Sequence, residues 1–308
     1  MRLSTIMTAV AVIFPCVSAH GRLKYPTPLN AVSDDVASNI PYNSPLKPDG
    51  SDFPCKGLHK TADLTKGTEW KAGQDTYFEI LGNGPGGSDT NIGTLAAHSG
   101  GSCQASISFD NGKTFKLLQS FMGGCPRGVK LNSNYASNPD QKFHFKIPED
   151  AKAGPALFSW TWIAVTGNRD EFYQNCAAVT ITGSGTSTLQ DAPDMFLGDM
   201  SIGQIKAGEC RSTAGSNVEY PNPGPNPIKD TTSGIPFKAP TAGQCFAPGS
   251  TSGSPPAPGA PSAPTPPGGA APSTTVPSPE RPPTKTASIR PTISLDVTGD
   301  QCKCQCKV

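Results

Sequence analysis

The sequence predicts an all-β protein: a two-sheet sandwich with long loops, followed by a disordered Pro/Ser/Thr-rich C-terminal extension. Three observations carry this. Short segments rich in aromatic and β-branched residues recur between residues 77 and 182 and often alternate in polarity. Strong turn chemistry, such as Asp110-Asn111-Gly112, Pro148, Gly154-Pro155 and Gly167-Asn168, separates them. After Phe246 no aromatic residue occurs, so the remainder cannot bury a core.

Taken in order, the chain opens with Arg2, an apolar run from Met7 to Phe14, and the small-residue site Val17-Ser18-Ala19. Residues 1–19 read as a secretory signal peptide, which makes His20 the mature N-terminus and the protein secreted and extracellular. The strands expected in the sandwich are Tyr77-Phe78-Glu79-Ile80, the segment from Cys103 to Phe109, the segment from Lys142 to Ile147, the segment from Leu157 to Ile163, and Ala178-Val179-Thr180-Ile181-Thr182. Many short strands with Gly/Pro-rich connections favour a sandwich over a parallel α/β sheet, so helix content should be low. Residues 20–246 are the predicted domain, 247–296 a linker or stalk, and 297–308 a cysteine-rich tail.

The formal net charge of +1 excludes the basic footprint of a general nucleic-acid binder. Beyond the leader no apolar run is long enough to span a bilayer, so no membrane partner is expected. Of ten cysteines, Cys16 leaves with the leader. Cys55, Cys103, Cys125, Cys176, Cys210 and Cys245 lack the C-x-x-C pairs of zinc sites and read as disulfides of a secreted chain. Six cysteines allow fifteen connectivities, among which the sequence does not choose. The pairing adopted as an expectation is Cys55 with Cys176, Cys103 with Cys125, and Cys210 with Cys245. The tail Cys302-Lys303-Cys304-Gln305-Cys306 reads first as a disulfide with a spare thiol, and alternatively as a soft Cu(I) site.

His20 carries the chemistry most directly. An N-terminal histidine offers its α-amine and its ring Nδ1 together, with reference pKa values of about 7.7 to 8.0 and about 6.5, so a divalent metal displaces both protons near neutrality. Nitrogen donors in a plane suit Cu(II). Only three other histidines exist. His144 alternates out of phase with Phe143, Phe145 and Ile147 and should face solvent. His59, in an irregular segment beside Cys55, reads as an exposed loop histidine, with metal ligation as the lesser alternative. His98, in Ala96-Ala97-His98-Ser99-Gly100-Gly101-Ser102-Cys103, has small neighbours that expose the ring and a cysteine that tethers the loop. His20 and His98 would supply three nitrogens to one copper ion, a histidine brace with open positions. Tyr173 can lie on the axial side of that copper or be a hydrogen-bonded core tyrosine; Glu171 can orient an oxygen species or pair with Arg169 at the surface.

Several motifs in order resemble family 11 of the fungal auxiliary-activity lytic polysaccharide monooxygenases: His20 directly behind a signal, Lys24-Tyr25-Pro26-Thr27-Pro28, Gly50-Ser51-Asp52-Phe53-Pro54-Cys55-Lys56, His98-Ser99-Gly100-Gly101-Ser102-Cys103-Gln104, Gly123-Gly124-Cys125-Pro126, and Trp160-Thr161-Trp162 through Asn175-Cys176-Ala177. Asp194-Met195-Phe196 and Tyr220-Pro221-Asn222-Pro223-Gly224 extend the match downstream. The resemblance implies an immunoglobulin-like or fibronectin-like sandwich with a flat copper-bearing face. It implies His20 and His98 as the brace, Tyr173 as the axial residue, and Ala96 and Glu171 beside the open positions. The implied partners are crystalline chitin and an external electron donor, with hydrogen peroxide or dioxygen as oxidant, and the protein is expected to act as a monomer. Two other functions fit the same residues: a secreted copper-binding or copper-acquisition protein that oxidises no polysaccharide, and a noncatalytic carbohydrate adhesin.

Overall fold

The computed structural model describes residues 21–29, 44–82, 96–133, 136–167, 171–201, 210–241 and 245. The expected signal peptide, His20, the linker and the cysteine-rich tail lie outside them, as does Arg169. Among the described residues the only helical elements are two short 3-10 turns, Cys55–Lys60 and Leu64–Lys66.

Eleven strands follow in chain order: β1 (Gly21–Tyr25), β2 (Thr68–Lys71), β3 (Asp75–Gly82), β4 (Gly101–Ser108), β5 (Lys116–Met122), β6 (Lys142–Lys146), β7 (Gly154–Ala164), β8 (Tyr173–Thr182), β9 (Asn217–Val218), β10 (Ile228–Lys229) and β11 (Phe237–Lys238). One sheet has the order β1-β3-β6 and a second the order β10-β5-β4-β7-β8-β2. The pairs β5-β4, β4-β7 and β7-β8 are antiparallel, whereas the edge strands β10 and β2 pair in parallel with β5 and β8. The short pair β11-β9 forms a separate two-stranded ladder. All five predicted strands are present; β1, β2 and β5 are additions that their mixed polarity did not announce.

The core lies between the two sheets. Phe78 of β3 stacks on Phe143 of β6 at 4.8 Å and meets Phe121 of β5 edge-on at 5.5 Å. Trp70 of β2 meets Phe145 and Phe158 edge-on, and Phe145 stacks on Phe158 at 5.8 Å. Offset and edge-on contacts match the quadrupoles of the rings, and truncating a buried phenylalanine such as Phe78 to alanine should cost about 3–5 kcal/mol.

The other face of the six-stranded sheet is not solvated, which the alternating pattern alone does not reveal. All eight residues of β4 are buried. Polar side chains on this face hold loop backbone instead of water. Gln104 Oε1 accepts from the Phe196 N–H at 2.9 Å, and Gln174 Oε1 accepts from the Cys55 N–H at 2.9 Å. Ser102 Oγ donates to the Val218 carbonyl at 2.9 Å. Leu46, Phe172, Met195, Phe196, Leu197 and Tyr220 complete this second apolar layer. Burying Gln104, Gln174 and Ser102 is tolerable because each of the three is paired.

Disulfides pin the loops to the sheet. Cys55–Cys176 ties the first 3-10 turn to β8, Cys103–Cys125 ties β4 to the loop after β5, and Cys210–Cys245 closes the last loop. By the chain-entropy argument such links are worth about 2–4 kcal/mol each.

Candidate metal centre

His98 lies in a tight turn just before β4. Four successive residues have positive φ: His98 at 41°, Ser99 at 64°, Gly100 at 85° and Gly101 at 152°. At Gly101 only glycine fits, because a Cβ would collide with the Ile163 carbonyl and lie 2.7 Å from Trp162 Nε1. The turn is held from both sides. The His98 carbonyl accepts from the Thr166 N–H at 2.9 Å, and the Gly100 carbonyl accepts from the Val165 N–H at 3.0 Å. The Ser99 N–H donates to the Ser133 carbonyl at 2.9 Å, while Ser99 Oγ accepts from the Asn132 N–H at 2.9 Å. The ring is not exposed as expected: His98 is half-buried with its Nε2 shielded from solvent, because its small neighbours let the loops close around it. Ala96 and Ala97 are buried at the base of the turn.

The neighbouring strands bring the other predicted residues to the same end. Cys103 of β4 pairs with Trp162 of β7, which pairs with Tyr173 of β8. The His98 ring is 5.9 Å from the Trp162 ring, and Trp162 lies 4.7 Å from Tyr173. Tyr173 is almost fully buried, and its hydroxyl donates to Glu171 Oε2 at 3.1 Å. Burial, followed by the charge of Glu171 and this hydrogen bond, pushes the phenol pKa far above its ordinary value. Tyr173 is thus a buried, hydrogen-bonded tyrosine and also a neighbour of the His98 turn, so the two sequence alternatives do not exclude each other.

Gly167 is the point of closest approach at this end. Its φ is +116°, and a Cβ there would lie 2.9 Å from Glu171 Oε2 and 3.4 Å from His98 Nδ1. An imidazole and a carboxylate therefore border one small volume that any side chain at 167 would fill. Among the described residues no three His, Cys, Asp or Glu side chains cluster as a complete metal-binding group. One imidazole with a nearby carboxylate and a protonated phenol fits a nitrogen-preferring ion such as copper if further nitrogen donors are added.

His20 lies outside the described residues, and the strand that follows it in sequence is tied to β8. The Leu23 N–H donates to Asn175 Oδ1 at 2.8 Å, two residues from Tyr173, and Pro28 bridges Ala177.

The other histidines do not join this group. His59 is buried, contrary to the exposed position expected of a loop histidine, because the first 3-10 turn folds onto the Asn111-Gly112 turn; a Cβ at Gly112 would lie 3.4 Å from its Cδ2. Burial and the nearby Lys60 lower its pKa, with the Pro54 carbonyl opposing. His144 is exposed on β6 beside Tyr77, with ring centres 5.5 Å apart, as its alternation predicted. Sequence reasoning did not single out Trp162 or Gly167 as parts of this centre. The tryptophan looked like core, and the glycine's role depends on a loop contact that no local pattern encodes.

No family model matches the chain. It is 41% identical over 193 residues to an AA11 family lytic polysaccharide monooxygenase A of Aspergillus fumigatus, covering 60% of this chain and 77% of that protein. An AA11 family lytic polysaccharide monooxygenase of Aspergillus oryzae is 32% identical over 213 residues, covering 61% of this chain and 46% of the relative. An AA11 family lytic polysaccharide monooxygenase B of Aspergillus fumigatus is 32% identical over 235 residues, covering 71% of this chain and 51% of the relative. The match thus spans about half the length of these last two proteins. Among solved structures, a cellulose-active polysaccharide monooxygenase from M. thermophila superposes with a TM-score of 0.32 at 18% identity, covering 47% of this chain and 65% of the other.

Proposed function

This chain belongs to the AA11 family of lytic polysaccharide monooxygenases, and we propose that it binds one copper ion through His20 and His98 and oxidatively cleaves the β-1,4 bonds of crystalline chitin. The observation that carries the proposal is the packing of His98 Nδ1 and Glu171 Oε2 together against Gly167, with the Tyr173 hydroxyl bonded to that carboxylate. Removal of residues 1–19 makes His20 the N-terminus, so that its amine and imidazole complete a three-nitrogen set with His98. Copper, when bound, supplies the oxygen-activating redox chemistry that acid–base side chains lack against a C–H bond, fed by an external electron donor and by hydrogen peroxide or dioxygen.

The chain's own residues prepare the site. The hydrogen-bonded turn fixes the His98 ring, and Trp162 backs it with an apolar wall. Tyr173 stays a neutral phenol beside Glu171, because burial and Glu171 oppose its ionisation, and would sit next to a bound copper as a protonated group. The Glu171 carboxylate accepts the tyrosine hydrogen bond at Oε2 and would orient an oxygen co-substrate by accepting a hydrogen bond from it. Ala96, small and buried, keeps the base of the turn narrow next to the open positions.

Chitin as the substrate rests on the motif resemblance. The same resemblance supports an immunoglobulin-like or fibronectin-like sandwich for residues 20–246; the leader-like residues 1–19 support secretion, the composition of 247–296 supports a stalk and that of 297–308 a cysteine-rich tip, and the protein is read as a monomer.

The test is mass spectrometry of soluble products from β-chitin incubated with processed, copper-loaded protein and ascorbate, beside a His98→Ala control. Oxidised chito-oligosaccharides that need copper, reductant and His98 are expected. Tight copper binding without oxidised products from chitin or cellulose would instead favour the copper-acquisition function, and chitin binding indifferent to copper would favour the adhesin.

A further inference from the structure

One loop, residues 123–133, borders both the His98 turn and a separate cleft. Its far end bonds to Ser99 through Asn132 and Ser133. Its near end lines a cleft of about 510 Å³ between the ends of β5, β6 and β10, together with Asn138, Ile228 and Asp230. We propose that this cleft is a subsite for one ring of a neutral glycan, with Arg127 and Asp230 as its hydrogen-bonding walls and Ile228 as its apolar contact.

The charges lining the cleft select the ligand class. The Arg127 guanidinium lies over the Phe143 ring at 4.9 Å, and its Nε is buried without a hydrogen-bond partner among the described residues. A buried donor left unsatisfied costs about 1–3 kcal/mol, so an acceptor supplied by a ligand is favoured there. Across the cleft, Asp230 Oδ1 accepts from the Thr232 N–H at 2.8 Å and Thr232 Oγ1 at 2.6 Å, which leaves Oδ2 as the remaining acceptor. The carboxylate disfavours an anion and the guanidinium disfavours a cation. Lys229 does not tip this balance, because its ammonium pairs with Glu219 at 2.7 Å and lies over the Phe237 ring. A neutral ligand with both donors and acceptors remains. Ile228, 48% exposed, adds the apolar surface that the C–H face of a sugar ring covers.

The walls are preorganised. Gln141, almost fully buried, accepts from the Arg127 N–H at 2.9 Å and donates to the carbonyls of Arg127 at 3.1 Å and Asn138 at 2.8 Å. The Cys103–Cys125 bridge anchors the loop to β4, and the Asp230 N–H donates to the Met122 carbonyl at 2.9 Å. A Cβ at Gly124 would collide with Asp230 Oδ2, so glycine is needed for this close approach. A site assembled before the ligand arrives loses less entropy on binding.

The choice of a glycan among neutral polar ligands rests on the proposed activity; the cleft itself does not. Calorimetric titration of the full-length, copper-loaded protein without reductant, using N,N′-diacetylchitobiose and cellobiose, tests it. At least one disaccharide should bind, and Arg127→Gln and Asp230→Asn should each weaken it about tenfold, or about 1.4 kcal/mol, at unchanged melting temperature. Gln keeps much of the stem over Phe143; should that variant fail to fold, the shift of the Arg127 Nε–H resonance on titrating the wild type gives the same reading. No binding, or binding that both substitutions and the Nε–H resonance ignore, overturns the subsite. Oxidised products from chitin alongside such a result overturn the subsite alone, whereas disaccharide binding at the cleft without oxidised products overturns only the proposed activity.

Discussion

The Tyr173 hydroxyl donates to Glu171 Oε2 at 3.1 Å, so the phenol and the carboxylate beside the His98 turn share one proton donor. Burial first, then the carboxylate charge and the hydrogen bond, raise the phenol pKa. Raised means protonated: the tyrosine stays neutral where an ordinary tyrosine ionises. Alkaline titration followed at 295 nm should therefore give the same curve for wild type and Tyr173→Phe up to about pH 11, where an ordinary tyrosine of pKa about 10 would have ionised. A phenolate signal missing from the variant below that pH would refute the assignment. The same substitution should cost about 0.5–1.5 kcal/mol of stability, read from urea midpoints.

Gly167→Ala tests the close packing of His98 and Glu171 directly. The new Cβ would press on Glu171 Oε2 and His98 Nδ1, and φ of +116° strains any residue but glycine. Copper affinity by calorimetry should fall at least about tenfold. Gly154→Ala, with the same φ of +116° and no atom within 4 Å of its Cβ, should show only the strain. Equal copper affinity in the two variants would remove Gly167 from the site.

Removing histidines one at a time separates their roles. His98→Ala should abolish tight copper binding and oxidised products. His144→Ala, on the exposed face of β6, should change neither. His59→Ala should lower stability by about 1–3 kcal/mol through lost packing against the Gly112 turn while leaving copper affinity intact. Loss of copper affinity in His59→Ala at unchanged stability would reverse that placement.

Lys56 predicts a stability change with a definite sign. Its ammonium donates to the Ser44 carbonyl at 2.7 Å and the Pro45 carbonyl at 3.0 Å, and burial pushes its pKa down from 10.5 to about 8, with Asp52 opposing. The unfolded chain therefore binds more protons than the folded one between those two values, and stability rises with pH across that window. Urea midpoints of wild type and Lys56→Met, compared at several pH values from about 8 to about 10.5, should diverge in favour of the wild type as pH rises. Parallel curves would mean that the ammonium is not desolvated.

Local chemistry made much of this protein legible in its sequence. Period-two alternation around Phe78, Phe143 and Phe158 marks strands because side chains of a pleated strand must point to opposite faces, and those residues meet in the core. Small residues around His98 and the singular position of His20 named a nitrogen-ligand chemistry before any geometry was known. Three-dimensional packing decided the rest. Gln104 and Gln174 alternate like solvent-facing residues, yet they hold the loops that carry Phe196 and Cys55, since a loop layer hundreds of ångströms of chain away covers that face. His59 looked exposed and is buried for the same reason. The meeting of His98, Gly167 and Glu171 depends on β4, β7 and β8 ending together, and the Arg127–Asp230 cleft on β10 closing beside β5. Periodicity reports only which way each side chain points along its own segment; which segments cover one another is set by long-range burial and hydrogen bonding, and both the proposed metal centre and the cleft are made where distant segments meet.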